Sequence, residues 1–136
     1  MSQENIELYE RFMAVLDSRE MSDEVAEEIL APKCRVENLD SAITDKTYHG
    51  VSGVRRWIAD TFDVFDVEAH LGIEEILADG DDFVVGRVHI VGQGARSGVP
   101  MDLRWVAVIR FRDGKITRGE GYPRRREAFE AVGLAE

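Results

Sequence analysis

The chain has 136 residues, 44% of them hydrophobic and 32% charged, with 27 acidic against 17 basic side chains and a formal net charge of −10. This is the composition of one ordinary globular domain, spanning 1–136, large enough to bury a single core and too apolar for a disordered tail. The negative charge repels phosphate backbones and anionic membranes, so neither nucleic acid nor a membrane is an expected partner.

No apolar run approaches the roughly 20 residues of a spanning helix, and the polar, acidic start Met1-Ser2-Gln3-Glu4-Asn5 does not read as an export signal. With Cys34 as the single cysteine, there is no disulfide partner and no thiolate pair for a metal, so a reducing, cytoplasmic location is expected.

The first predicted element is a helix over Ile6–Leu16, where Ile6, Tyr9, Phe12, Met13 and Leu16 recur at three- and four-residue steps. A second, short helix follows Ser22, whose hydroxyl suits an N-cap. Its stop is expected before Pro32. Cys34–Leu39 reads as a strand and Asp40–Gly50 as a loop. A third helix is then predicted from Val54, Trp57, Ile58, Thr61, Phe62 and Phe65.

Past Asp66 the pattern changes to period two, in segments near Val67–Leu77, Phe83–Gly92, Leu103–Phe111 and Lys115–Tyr122. Turn signals divide them, at Asp79-Gly80-Asp81-Asp82, at Gly92 to Pro100 and at Asp113-Gly114. Connections this short imply an antiparallel meander. Helical spacing returns between Arg125 and Leu134. Helices followed by hairpins give an α+β fold, a curved sheet wrapped over the third helix with an open mouth.

Three motifs stand within this order: His49-Gly50-Val51-Ser52-Gly53-Val54 at the third helix, the Arg96-Ser97-Gly98-Val99-Pro100 hairpin, and the Asp113-Gly114-Lys115-Ile116 turn with the closing Glu127–Leu134 stretch. Together they resemble the SnoaL-like, nuclear-transport-factor-2-like superfamily, closest to its limonene-epoxide-hydrolase-like and polyketide-cyclase-like branch. The resemblance implies the cone-shaped fold of that superfamily, whose members include isomerases, cyclases, hydrolases and binding proteins.

Set on the steroid-isomerase pattern, the functional positions fall on Phe12, Asn38 and Ala107, none of which can transfer the required proton. The resemblance therefore does not imply that mechanism. On the epoxide-hydrolase pattern the water-binding asparagine falls on Asn38 and the strand arginine on Arg87. The two aspartates fall on His89 and Gly121, with Glu120 adjacent.

Residue alternation offers its own candidates. Arg87 and His89 share one face of their strand, and Val84, Gly86, Val88 and Ile90 form an apolar opposite face. A charged pair is costly in a dry core, so Arg87 and His89 are expected in a wet pocket, with the apolar face outside and covered by a second subunit in a sheet-to-sheet homodimer. His89 would then act as acid or base, Arg87 as an electrostatic clamp, and Asn38 and Glu120 as further catalytic candidates.

Phe12, Trp57, Phe62, Leu103, Trp105, Ala107 and Gly121 are the expected ligand wall. The three histidines lie far apart and no glycine-rich nucleotide loop occurs, so no metal and no cofactor are expected. The expected function is a cofactor-free enzyme doing proton transfer or water addition on a small apolar molecule. The alternatives are a non-catalytic binding module for such a ligand and a structural dimerisation domain.

Overall fold

A computed structural model describes residues 2–38, 47–66 and 68–134. The elements in chain order are α1 (Ser2–Ser18), α2 (Asp23–Ile29), β1 (Leu30–Asn38), β2 (Thr47–His49), α3 (Gly50–Phe62), β3 (His70–Asp79), β4 (Phe83–Gln93), β5 (Pro100–Arg112), β6 (Lys115–Tyr122) and α4 (Arg125–Ala131). The strands make one sheet in the order β2-β1-β6-β5-β4-β3. From β3 to β6 it is the expected antiparallel meander. β1 joins it parallel to β6, after which β2 folds back antiparallel on β1. The result is an α+β cone, as the sequence order implies.

Several boundaries differ from expectation for local reasons. Ser22 does cap α2, its hydroxyl accepting from the Val25 N–H at 3.1 Å. The helix then gives way to β1 at Leu30, so Pro32 sits inside a strand. The β1–β6 register slips between Leu30 and Arg35, around Pro32, which has no N–H to donate to a ladder. The end of the expected first strand at Leu39 and the loop residues 40–46 lie outside the described residues, as does Val67. Residues 47–49 of the expected loop form β2, and Gly50 opens α3 with φ +71°, a backbone angle that a side chain disfavours.

The helices use the stripes read from the sequence. α1 buries Tyr9, Phe12, Met13 and Leu16, and α3 buries Val54, Trp57, Ile58, Thr61 and Phe62. α1 packs against β3 and β4, while α3 packs against β1 and β2, so the pair closes the concave side of the sheet. Tyr9 pins this contact. Its hydroxyl donates to the Ala107 carbonyl at 3.2 Å, passing over Gly86, where a Cβ would stand only 2.7 Å from the phenol oxygen. Burial pushes the Tyr9 phenol pKa far up, so it stays protonated.

The sheet is sandwiched between two apolar clusters. The main core, under α1 and α3, takes Val84, Val88 and Ile90 of β4 with Ala107, Ile109 and Phe111 of β5. A smaller cluster on the convex side joins Val85, Val106 and Val108 to Ala128 and Phe129 of α4. Among the described residues no helix is long and apolar enough to cross a membrane.

Candidate functional site

The concave side of the sheet holds a cavity between α1, α3 and the strands β1, β6 and β5. Phe12, Met13 and Leu16 of α1 form one wall and Trp57 of α3 another. Trp105, Ala107 and Ile109 of β5, with Gly119 and Gly121 of β6 and Val36 and Asn38 of β1, form the floor. The space open to the centre of a water molecule is about 20 Å³, on the order of one water. Of the lining residues, Trp105 alone is not buried.

Strand alternation explains who faces in. Gly121 lies opposite Asn38 on one side and Ala107 on the other. A Cβ at Gly121 would lie 3.2 Å from Asn38 Oδ1 and 3.5 Å from Trp105 Cδ1, so the missing side chain makes the cavity. Asn38 is 8% exposed, and its amide makes no hydrogen bond among the described residues. The indole of Trp57, 5% exposed, has its Nε1–H buried without a partner among the described residues.

Glu120 borders the cavity with its backbone, because its register partner is Val108 of the convex cluster and its neighbours Gly119 and Gly121 face in. Its carboxylate, 2% exposed, accepts from Arg110 Nε at 2.6 Å and from the Tyr122 hydroxyl at 2.7 Å, and pairs with Arg118 Nε at 2.9 Å. Arg118 also reaches Glu37 at 2.7 Å, and Arg110 donates to the Ala131 carbonyl at the end of α4. Burial pushes the Glu120 pKa up, but the hydrogen bonds from Arg110 and Tyr122 and the two guanidinium charges outweigh it, holding the acid below its ordinary value. Its pairing fastens α4 to the sheet.

Arg87 and His89 require a correction. They do not face the cavity but stand on the convex side, because the buried members of β4 that enter the main core are Val84, Val88 and Ile90. There Arg87 pairs with Glu75 at 2.7 Å. His89 Nε2 lies 2.6 Å from Asp102 Oδ1, and Arg104 bridges Asp102 and Glu74 beside it. Carboxylates on neighbouring strands pair with both side chains, and His89 borders an open surface groove with His70, Glu74 and Val91 rather than the concave cavity. The same correction removes the ground for a sheet-to-sheet dimer: the apolar face of β4 is already covered by α1 within the chain.

Of the other expected residues, the structure brings together Asn38, Phe12, Trp57, Trp105, Ala107 and Gly121. Phe62 and Leu103 stand apart from the cavity. Phe62 lies under the Arg19 guanidinium, 4.3 Å from its ring centre, and Leu103 packs against the main core. Met13, Leu16, Val36 and Gly119 were not anticipated as lining residues, whereas Ile109 shares the strand face of Trp105 and Ala107 that alternation marks as an apolar wall. Val36 and Gly119 could have been found, since each lies two residues from Asn38 or Gly121 on the same strand face.

With this geometry in view, comparison with known proteins is informative. The SnoaL-like domain family matches residues 9–119. The chain belongs to the SnoaL-like domain family. Solved structures agree with this SnoaL-like assignment at the level of fold. A protein from Jannaschia sp. CCS1, described as a SnoaL-like polyketide cyclase, is 17% identical with a TM-score of 0.74, over 99% of this chain and 95% of its own. TerC, crystallised with polyporic acid, is 22% identical with a TM-score of 0.70, over 95% and 97%. A protein with a ketosteroid isomerase-like fold from Catenulispora acidiphila DSM 44928, in complex with trimethylamine, is 17% identical with a TM-score of 0.69, over 95% and 94%. No curated protein sequence matches this SnoaL-like chain.

Proposed function

We propose that this SnoaL-like protein binds a small apolar molecule inside the cone, with the Asn38 amide as a polar contact. The observation that carries the reading is the cavity itself, walled by the rings of Phe12, Trp57 and Trp105 and by aliphatic side chains, with the Asn38 amide in its lining making no hydrogen bond among the described residues. Such a site, apolar with few polar groups, suits a small organic ligand. At about 20 Å³ the closed cavity is too small for a ring. A ring is admitted only if a wall side chain moves, and Trp105, the one lining residue among those described that is not buried, is the side chain we propose for this.

Binding fits this geometry better than the expected proton transfer or water addition. General acid or base catalysis needs a titrating group within hydrogen-bond reach of the substrate. Among the described residues no lining side chain supplies one, since the Glu120 carboxylate is held by Arg110, Arg118 and Tyr122 on the other face, and His89 and Arg87 stand there too. The fold neighbours described as a SnoaL-like polyketide cyclase and as co-crystallised with polyporic acid are in keeping with a pocket of this general use.

The test is a titration of the 15N-labelled protein with tetralin, a neutral bicyclic hydrocarbon, and its ketone 1-tetralone. The chain has two tryptophans, both at the cavity, so saturable shifts of both indole N–H signals are expected. If neither probe produces a saturable shift up to its solubility limit, the pocket reading fails and a structural role takes its place.

A further inference from the structure

We infer that the ligand is an uncharged molecule carrying a hydrogen-bond acceptor, a ring carbonyl or ether oxygen, and that the indole N–H of Trp57 donates to it. This rests on the pocket reading above and adds the chemistry of the ligand. Trp57 lines the cavity from α3, is 5% exposed, and its Nε1–H is buried with no partner among the described residues. Buried donors are almost always paired, and leaving one unpaired costs a large part of its hydration. An indole nitrogen only donates, so the group that completes it must be an acceptor. The cavity beside the ring has room for an atom group about the size of a water.

Charge narrows the class. Among the described residues no lysine, arginine or histidine lines the cavity, and the carboxylate of Glu120 is turned to the convex face and paired there. An anion entering this space would lose its hydration without gaining a counter-charge, and so would a cation. A neutral acceptor on an apolar ring loses little and satisfies Trp57. The Asn38 amide, itself 8% exposed and without a partner among the described residues, supplies both a donor and an acceptor on the β1 side.

The experiment compares 1-tetralone, tetralin and 1-naphthoate on the wild-type protein and on Trp57→Phe, by calorimetry and by 15N–1H spectra. The expected result is that wild type binds 1-tetralone roughly tenfold more tightly than tetralin, the difference one buried hydrogen bond makes. 1-Naphthoate should be weakest. The Trp57 indole proton should move downfield with the ketone and not with the hydrocarbon, and Trp57→Phe should bring the ketone down to the level of tetralin. Equal binding of ketone and hydrocarbon, a preference that survives in Trp57→Phe, or tightest binding of 1-naphthoate would each overturn the inference while leaving the pocket standing. Binding of none of the three would remove the pocket reading itself. Should Trp57→Phe fail to fold, the indole proton of the wild-type protein still decides: no downfield movement with bound 1-tetralone means no hydrogen bond.

Discussion

The two faces of the sheet meet the same problem, polar groups near a core, and solve it differently. On the convex face the polar groups named above are paired with one another: Glu120 holds Arg110 and Arg118, Arg87 meets Glu75, and His89 sits against Asp102, with only the Arg118 Nε–H, among the described residues of this cluster, left without an aligned hydrogen bond. On the concave face the Trp57 indole N–H is buried without a partner among the described residues, and the Asn38 amide, in the same lining, makes no hydrogen bond among them. Saturated polar groups are structural material, whereas unsaturated ones beside a void are available for a ligand. The difference teaches that charge alone is a poor guide to the site, and that incomplete bonding is a better one.

The largest effect that sharpens the contrast is on stability. Ile90 is fully buried on the concave side and Val91, its neighbour on the convex side, is 44% exposed. Ile90→Ala should cost about 3 kcal/mol in denaturant unfolding, and Val91→Ala less than about 0.5 kcal/mol. Comparable losses would mean that the faces of β4 are assigned the wrong way round.

Next comes the saturated cluster. Glu120→Ala leaves Arg110, Arg118 and the Tyr122 hydroxyl without their common acceptor and should cost about 2 kcal/mol. Because the folded protein holds the Glu120 pKa below its unfolded value, its contribution is present above the ordinary glutamate value of about 4.3 and is lost as pH falls through the lower folded value. Unfolding measured from pH 6 down to pH 3 should therefore show a smaller loss in Glu120→Gln than in wild type. An identical acid profile would show that the pairing contributes nothing.

The smallest effects belong to the half-exposed ion pairs. Arg87→Ala and His89→Ala should each change stability by less than about 1 kcal/mol in the same unfolding experiment, as surface pairs do. A larger loss would place them in a more buried setting than the convex face provides.

Much of this fold could be read from the chain, for a plain reason. Helical stripes such as Val54-Trp57-Ile58-Thr61-Phe62 and the turn at Asp113-Gly114 are local signals, and local physics decides them. The parallel pairing of β1 with β6 was not legible, since it depends on residues about eighty positions apart. Alternation on β4 correctly separated its two faces but could not say which faced in. Arg87 and His89 looked expensive enough to demand a pocket, while the carboxylates that satisfy them, Glu75 and Asp102, sit on neighbouring strands whose register fixes the contacts. Asn38 and Gly121, expected from the family pattern, and Trp105, expected from alternation, line one cavity. That Glu120 turns away followed only from its pairing with Val108.

The central claim is that the concave face, and not the charged convex one, receives the ligand. Its most direct test is one titration of 1-tetralone into two variants side by side, Gly121→Ala and the double variant Arg87→Ala/His89→Ala. A methyl at position 121 enters the cavity within 3.2 Å of Asn38 Oδ1, so the first variant should lose about tenfold in affinity, while the second should bind as wild type does. Retained binding in Gly121→Ala together with loss in the double variant would contradict the account and return the site to the convex face.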